Sequence, residues 1–75
     1  MLRVLLFASL RDRAGWGERN LALGPELITA GQLWMRLELV SLDGISIALN
    51  QELVGPERTL RAGDELAFLP PFTGG

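Results

Sequence analysis

Two apolar runs at opposite ends of the chain constrain its fold more than anything between them. Residues 2–8 read Leu-Arg-Val-Leu-Leu-Phe-Ala and residues 65–70 read Glu-Leu-Ala-Phe-Leu-Pro. Both are nearly continuously apolar, the pattern of strands lying in the middle of a sheet, where they are read as parallel neighbours. With 75 residues in all, the chain has room for one small domain near the lower limit for a self-supporting core. A hydrophobic fraction of 48% is enough for that core and argues against disorder.

Between these runs the pattern alternates twice more. Arg19 to Leu23 places Leu21 and Leu23 on one side before Gly24-Pro25 ends it. Ile45 to Asn50 alternates cleanly, Ile45, Ile47 and Leu49 facing inward, and Asn50-Gln51 turns the chain into the short segment Glu52-Leu53-Val54. Residues 9–15 read as a short helical turn stopped by Gly15. The clear helix begins at Thr29. Thr29-Ala30-Gly31-Gln32 fits a capping box, and Ile28 and Leu33 stand at the positions of a hydrophobic staple. Ala30, Leu33, Trp34 and Leu37 then repeat at i, i+3, i+4 and i+7. Trp34 is read as a core anchor, with Gln32, Arg36 and Glu38 on the wetter side.

The order β-β-α-β-β-β, with one main helix against about five strands, predicts an α+β domain with the helix on one face of a mixed sheet. Residues 1–71 form the domain and residues 72–75 a flexible tail. Strand parity then divides the sheet. Leu2, Val4, Leu6, Ile45, Ile47, Leu49, Leu66 and Phe68 pack under Trp34. Arg3, Leu5, Phe7, Ser46, Ala48, Glu65, Ala67 and Leu69 occupy the other face, which has no helix to cover it. An apolar centre with polar ends is how a partner-binding patch is built.

Composition removes several chemistries. The chain has no His, Cys, Tyr or Lys. It therefore lacks a thiol nucleophile, a disulfide framework and a side chain titrating near neutrality. Asp43, Glu52, Glu57, Asp64 and Glu65 lie near turns or strand ends, where solvated carboxylates are ordinary. A net charge of −2 and a pI near 4.9 do not support a nucleic-acid or anionic-membrane footprint. No apolar stretch approaches a membrane span and no signal peptide is read, so the cytoplasm is the expected location.

What is left is the last segment, Phe72-Thr73-Gly74-Gly75, after Pro70-Pro71. Two glycines place a carboxylate on a strip of backbone thin enough to thread a channel that any Cβ would block. The prolines end sheet pairing and stiffen the approach. Phe72, beyond them, suits an anchor that docks the tail.

Three segments carry a family resemblance: Val4 to Asp12 with Ala14-Gly15, Ala48 to Glu52, and Gly63 to Gly75. Together they resemble the small subunits of molybdopterin synthase, within the MoaD/ThiS sulfur-carrier family. The most specific piece is Gly63-Asp64-Glu65 leading through its strand into Pro70-Pro71-Phe72-Thr73-Gly74-Gly75. The resemblance implies a ubiquitin-like β-grasp fold. It implies that Gly75 is adenylated with ATP by a partner E1-like enzyme and then converted to a thiocarboxylate by a persulfide donor. Within the synthase large subunit, in a heterotetramer of two small and two large subunits, that group gives sulfur to cyclic pyranopterin monophosphate. Gly74 supplies clearance. Phe7, Leu69, Phe72 and Thr73 are implied partner contacts, and Arg11 a candidate partner for an acidic group. No cofactor or metal is expected on the chain itself. A carrier for thiamine or tRNA thiolation, or a ubiquitin-like protein modifier, would end in the same two glycines. The short link Ser41-Leu42-Asp43-Gly44 departs from the family, and the missing lysines argue against chain building on this domain.

Overall fold

The computed structural model describes residues 1–39 and 44–71. Its strands are β1 (Leu2–Leu6), β2 (Glu18–Leu21), β3 (Ser46–Leu49), β4 (Glu52–Val54) and β5 (Glu65–Leu69), in spatial order β2-β1-β5-β3-β4. β1 and β5 lie side by side and parallel in the middle, as their apolar runs predict, and the remaining neighbours are antiparallel. The link at Ser41, Leu42 and Asp43 and the tail residues Phe72, Thr73, Gly74 and Gly75 lie outside the described residues.

The described residues form two helices rather than one main helix and a turn. α1 (Ala8–Ala14) has the same seven residues' length as α2 (Ala30–Arg36). Sequence patterning understates α1 because it buries a single large side chain, Leu10, too little to establish a period. Gly15 at φ 84° ends it, its N–H donating to the Arg11 carbonyl at 2.9 Å. Leu10 and the α2 residues Ala30, Leu33 and Trp34 enter one core cluster with Leu2, Val4, Leu6, Ile47, Leu49, Leu66 and Phe68, so both helices serve the same face of the sheet. The Trp34 and Phe68 rings meet at 4.6 Å between centroids, tilted by 53°. A pair in this geometry adds about 1 kcal/mol beyond its area burial.

The capping box of α2 forms as expected. Gln32 N–H donates to Thr29 Oγ1 at 3.2 Å, and Thr29 N–H donates to Gln32 Oε1 at 2.9 Å. Ile28 and Leu33, the staple positions, are both buried in the same cluster. The next donors are also satisfied: Ala30 N–H reaches the Arg58 carbonyl at 2.9 Å and Gly31 N–H the Pro56 carbonyl at 2.8 Å. The approach is close: a Cβ on Gly31 would lie 3.1 Å from Pro56 Cβ and 3.2 Å from its carbonyl oxygen, so Pro56 would have to give by a few tenths of an ångström to admit one. Leu60, with no strand of its own, is buried beside this junction and donates its N–H to Ile28.

A second polar clasp holds the start of β5. Asn50 and Gln51, at φ 51° and 71°, form the two-residue turn between β3 and β4, where both central residues take the left-handed conformation. Asn50 then reaches across. Its Nδ2 donates to Asp64 Oδ1 at 3.0 Å and its Oδ1 accepts from Glu65 N–H at 3.0 Å. Asp64 Oδ2 accepts from Arg61 N–H at 2.8 Å. The carboxylate of Asp64 is thus occupied with structure.

Candidate functional site

Parity places the open face as the sequence predicts, and the strand register shows how its residues line up. A row crosses all five strands: Glu18 on β2 opposite Leu5, Leu5 opposite Ala67, Ala67 opposite Ala48, and Ala48 opposite Leu53. Four of the five are apolar. Leu53 at its end is 78% exposed. Sequence reading does not assign Leu53 to this face. The signal that could have done so is the two-residue turn at Asn50-Gln51, which fixes Leu53 opposite Ala48.

On one side of this row stands a charged one. Arg3 Nε donates to Glu18 Oε2 at 3.0 Å and Arg3 Nη2 to Glu18 Oε1 at 3.1 Å, while Nη1 lies 3.7 Å from Glu65 Oε2. The hydrogen bonds and charge of Glu18 raise the Arg3 pKa above its already high value, partial desolvation opposes them, and Glu65 adds a smaller push. Arg3 therefore stays cationic at any working pH.

On the other side of the row the face is apolar with little interruption. Phe7 follows Leu6, the last paired residue of β1; Leu69 follows Phe68, its partner on β5. Phe7 and Leu69 consequently sit at the same end of the sheet, with Phe7 44% exposed and Leu69 partly covered. Ser46, opposite Leu69, is the polar residue there. The expectation of two polar ends is corrected: charge gathers at the start of β5, and the end at which the chain leaves β5 is apolar. The antiparallel neighbours cause this, since they bring Ser46 rather than a charged residue beside Leu69.

Arg11 joins the same end. It is exposed on α1, and its stem lies over Gly17, where an added Cβ would be only 2.6 Å from Arg11 Cδ. Phe7, Arg11, Gly17, Glu18 and Leu5 line one open groove. Behind it, Arg19 stacks over the Trp16 ring at 4.7 Å. Pro71 packs over Gly44, a Cβ on which would be 3.3 Å from Pro71 Cβ, so the chain leaves β5 beside the start of β3. Of the residues singled out from sequence, Phe7, Arg11 and Leu69 are brought together at this exit. Phe72, Thr73, Gly74 and Gly75 follow it in sequence and lie outside the described residues.

A second concavity, of about 730 Å³, is lined by Asn50, Leu53, Arg58, Arg61 and Asp64 among others. It lies at the opposite end of β5, and its arginines are exposed. Among the described residues no cluster of acidic, His or Cys side chains could hold a metal ion, and no side chain that is polar or charged is buried. No described helix is long and apolar enough to cross a membrane. The arrangement offers an open, largely apolar surface and a chain exit at its edge.

Known proteins resemble this chain in sequence and in fold. A model described as the ThiS family matches residues 4–75. The molybdopterin synthase sulfur carrier subunit of Escherichia coli (strain K12) is 37% identical over 81 aligned positions, covering all of both chains. The subunit of the same description from Chlamydomonas reinhardtii is also 37% identical, covering 99% of this chain and 98% of its own. Among solved structures, SAMP1 from Haloferax volcanii, a small archaeal modifier protein, superposes with a TM-score of 0.79 at 26% identity, covering 99% of this chain and 98% of that one. The ubiquitin-like β-grasp expectation holds.

Proposed function

The chain belongs to the ThiS family, and from that premise we propose that it is a sulfur-carrier subunit of molybdopterin synthase. The observation that carries the reading is the position of the chain exit: β5 runs from the charged end of the open face to its apolar end and leaves through Pro70-Pro71 toward Gly74-Gly75. A partner that covers Leu5, Ala67, Leu69 and Phe7 therefore meets the outgoing tail at the rim of its own interface. Phe72 and Thr73 continue that contact, and Arg11 pairs with an acidic group at its margin.

The chemistry follows from what the chain lacks. A carboxylate is anionic and resonance-stabilised, and resists attack until it carries a better leaving group. In this proposal an E1-like partner uses ATP to adenylate the Gly75 carboxylate with release of pyrophosphate. The terminal sulfur of a persulfide donor displaces AMP, and a thiol cleaves the resulting acyl disulfide to leave a thiocarboxylate. In the large subunit, that sulfur passes to cyclic pyranopterin monophosphate to build the dithiolene. Gly74 lets the last residue enter a channel without steric block. ATP, acid–base groups and the substrate pocket belong to partners, and the chain alone is not a catalyst. The complex is a heterotetramer of two small and two large subunits in the cytoplasm.

Intact-mass measurement after co-expression with the adenylating enzyme and a sulfur source tests this. The expected result is a gain equal to exchange of one oxygen for sulfur, abolished by removing Gly74-Gly75. No gain, together with unaltered partner pulldown after that deletion, overturns it. The likeness to SAMP1 favours a second reading, a protein modifier joined through Gly75 to lysines of other proteins. Covalent adducts of this chain on cellular proteins would identify it, and transfer of sulfur to the pyranopterin by a reconstituted complex would identify the first. Transfer to a thiamine precursor or to tRNA would mark the related carriers.

A further inference from the structure

Among the described residues, four that are not glycine have φ in the left-handed region: Ala8 (50°), Glu38 (52°), Asn50 (51°) and Gln51 (71°). For three of them the chain path explains it. Asn50 and Gln51 are the central pair of a hairpin turn, and Glu38 follows the C-cap of α2, where helices commonly end in this conformation. Ala8 is the exception. It is the first residue of α1 and comes directly after Phe7, which is still extended at φ −118° and ψ 153°. A residue with a Cβ is strained there, and such strain persists only where the surroundings hold it.

The neighbours show what the conformation achieves. Phe7 prolongs the pleat of β1, so its ring falls on the open face with Arg3 and Leu5. Only three residues later Leu10 is 3% exposed in the core on the opposite side of the sheet. A chain that continued as a strand would carry residue 9 onto the open face and past Phe7. The left-handed step at Ala8 instead takes the backbone off the sheet at once. Phe7 is then held from both directions: Leu6 N–H donates to the Gly17 carbonyl at 2.9 Å before it, and Leu10 N–H donates to the Phe7 carbonyl at 3.1 Å after it.

We propose that Ala8 is a positioning residue for partner docking, whose left-handed backbone holds Phe7 on the open face as a preorganised apolar anchor. The inference rests on the open face being the docking surface, and adds to it a residue that acts through Phe7. An anchor already fixed in the free chain loses less freedom on binding, and the gain appears as affinity. Alanine is the compromise the site permits. A β-branched side chain is a pronounced outlier at this φ, whereas glycine enters it freely but also samples other conformations and leaves Phe7 loose.

A double-mutant cycle tests the proposal, reading affinity for the molybdopterin synthase large subunit of the same organism by titration calorimetry. Each variant is first checked for dispersed amide signals. Ala8→Val is expected to weaken binding by about tenfold or more, and Ala8→Gly by a few-fold, about two to five. Combined with Phe7→Ala, neither substitution should weaken binding further, because the group it positions is gone. A full penalty from Ala8→Val in the Phe7→Ala background, or wild-type affinity for Ala8→Val alone, overturns the inference while leaving the docking surface in place. If Ala8→Val does not fold, the glycine cycle decides by the same criterion. Failure of the wild-type chain to bind the large subunit overturns the docking reading, and this inference with it.

Discussion

Leu66 and Phe68 are fully buried, while Ala67 and Leu69, their alternating neighbours in the same strand, are only partly covered. That contrast runs through the sheet. One face receives Leu10 from α1 and Ala30, Leu33 and Trp34 from α2; the other receives no described element and still carries Leu5, Phe7, Ala48, Leu53, Ala67 and Leu69. That a residue is apolar does not by itself distinguish the two, since leucine and phenylalanine stand on both. The difference lies in what packs against them. Residues on the covered face hold the domain together, and those on the open face are free to be covered by another molecule.

Substitutions on the two faces should therefore separate stability from binding, and the largest effect belongs to the covered face. Phe68→Ala is expected to cost about 3–5 kcal/mol by urea unfolding, because it opens a cavity against Trp34. For a domain of this size, total stability is near the lower end of about 5–15 kcal/mol, so the variant should keep only about 0–2 kcal/mol and be partly unfolded at 37 °C. Leu69→Ala, one residue on, should cost only about 1 kcal/mol. Equal losses at the two positions would show that the open face is covered in the free chain.

On the open face itself, Phe7→Asp and Leu69→Asp should each weaken large-subunit binding by about tenfold or more, equivalent to about 1.4 kcal/mol, with little change in thermal midpoint. Marked unfolding by Phe7→Asp would break the distinction between the faces. Two further substitutions sharpen it by acting away from both. Asn50→Ala removes both side-chain bonds to the start of β5 and leaves an alanine at positive φ, and should cost about 2 kcal/mol in urea unfolding. Gln51→Gly relieves the same backbone strain without touching either face, and should raise stability by about 0.5–1 kcal/mol, seen as a midpoint a few degrees higher. The smallest effect is expected from Arg3→Gln. Its ion pairs are exposed, so the thermal midpoint should hardly move, and any difference should vanish in high salt.

Much of this arrangement is legible in the sequence. The capping box at Thr29 and Gln32 is a local contract between four residues, and it forms as written. Alternation in β1, β3 and β5 assigned Leu2, Val4, Leu6, Ile47, Leu49, Leu66 and Phe68 to one face because a pleated strand leaves its side chains no other choice. Less was legible where a residue's partner is remote. Leu10 and Leu60 are core residues that no periodicity announces: one stands alone on a short helix, and the other lies in a loop held by the Ile28 carbonyl. Leu53 joined the open face only once the turn at Asn50-Gln51 set its register.

By itself, then, the amino-acid order determined the strands and the principal helix, the two faces, the absence of His and Cys chemistry and the Gly74-Gly75 ending, because each depends on neighbouring residues or on composition. Tertiary structure alone decided which end of the open face is apolar, that Phe7, Arg11 and Leu69 gather at that end, and that Ala8 is strained in bringing Phe7 there. Those facts depend on the register in which β1 and β3 lie against β5 and on Leu10 packing into the core beside Trp34 and Phe68. Both join residues far apart in the sequence, and packing rather than any residue's own preference sets them.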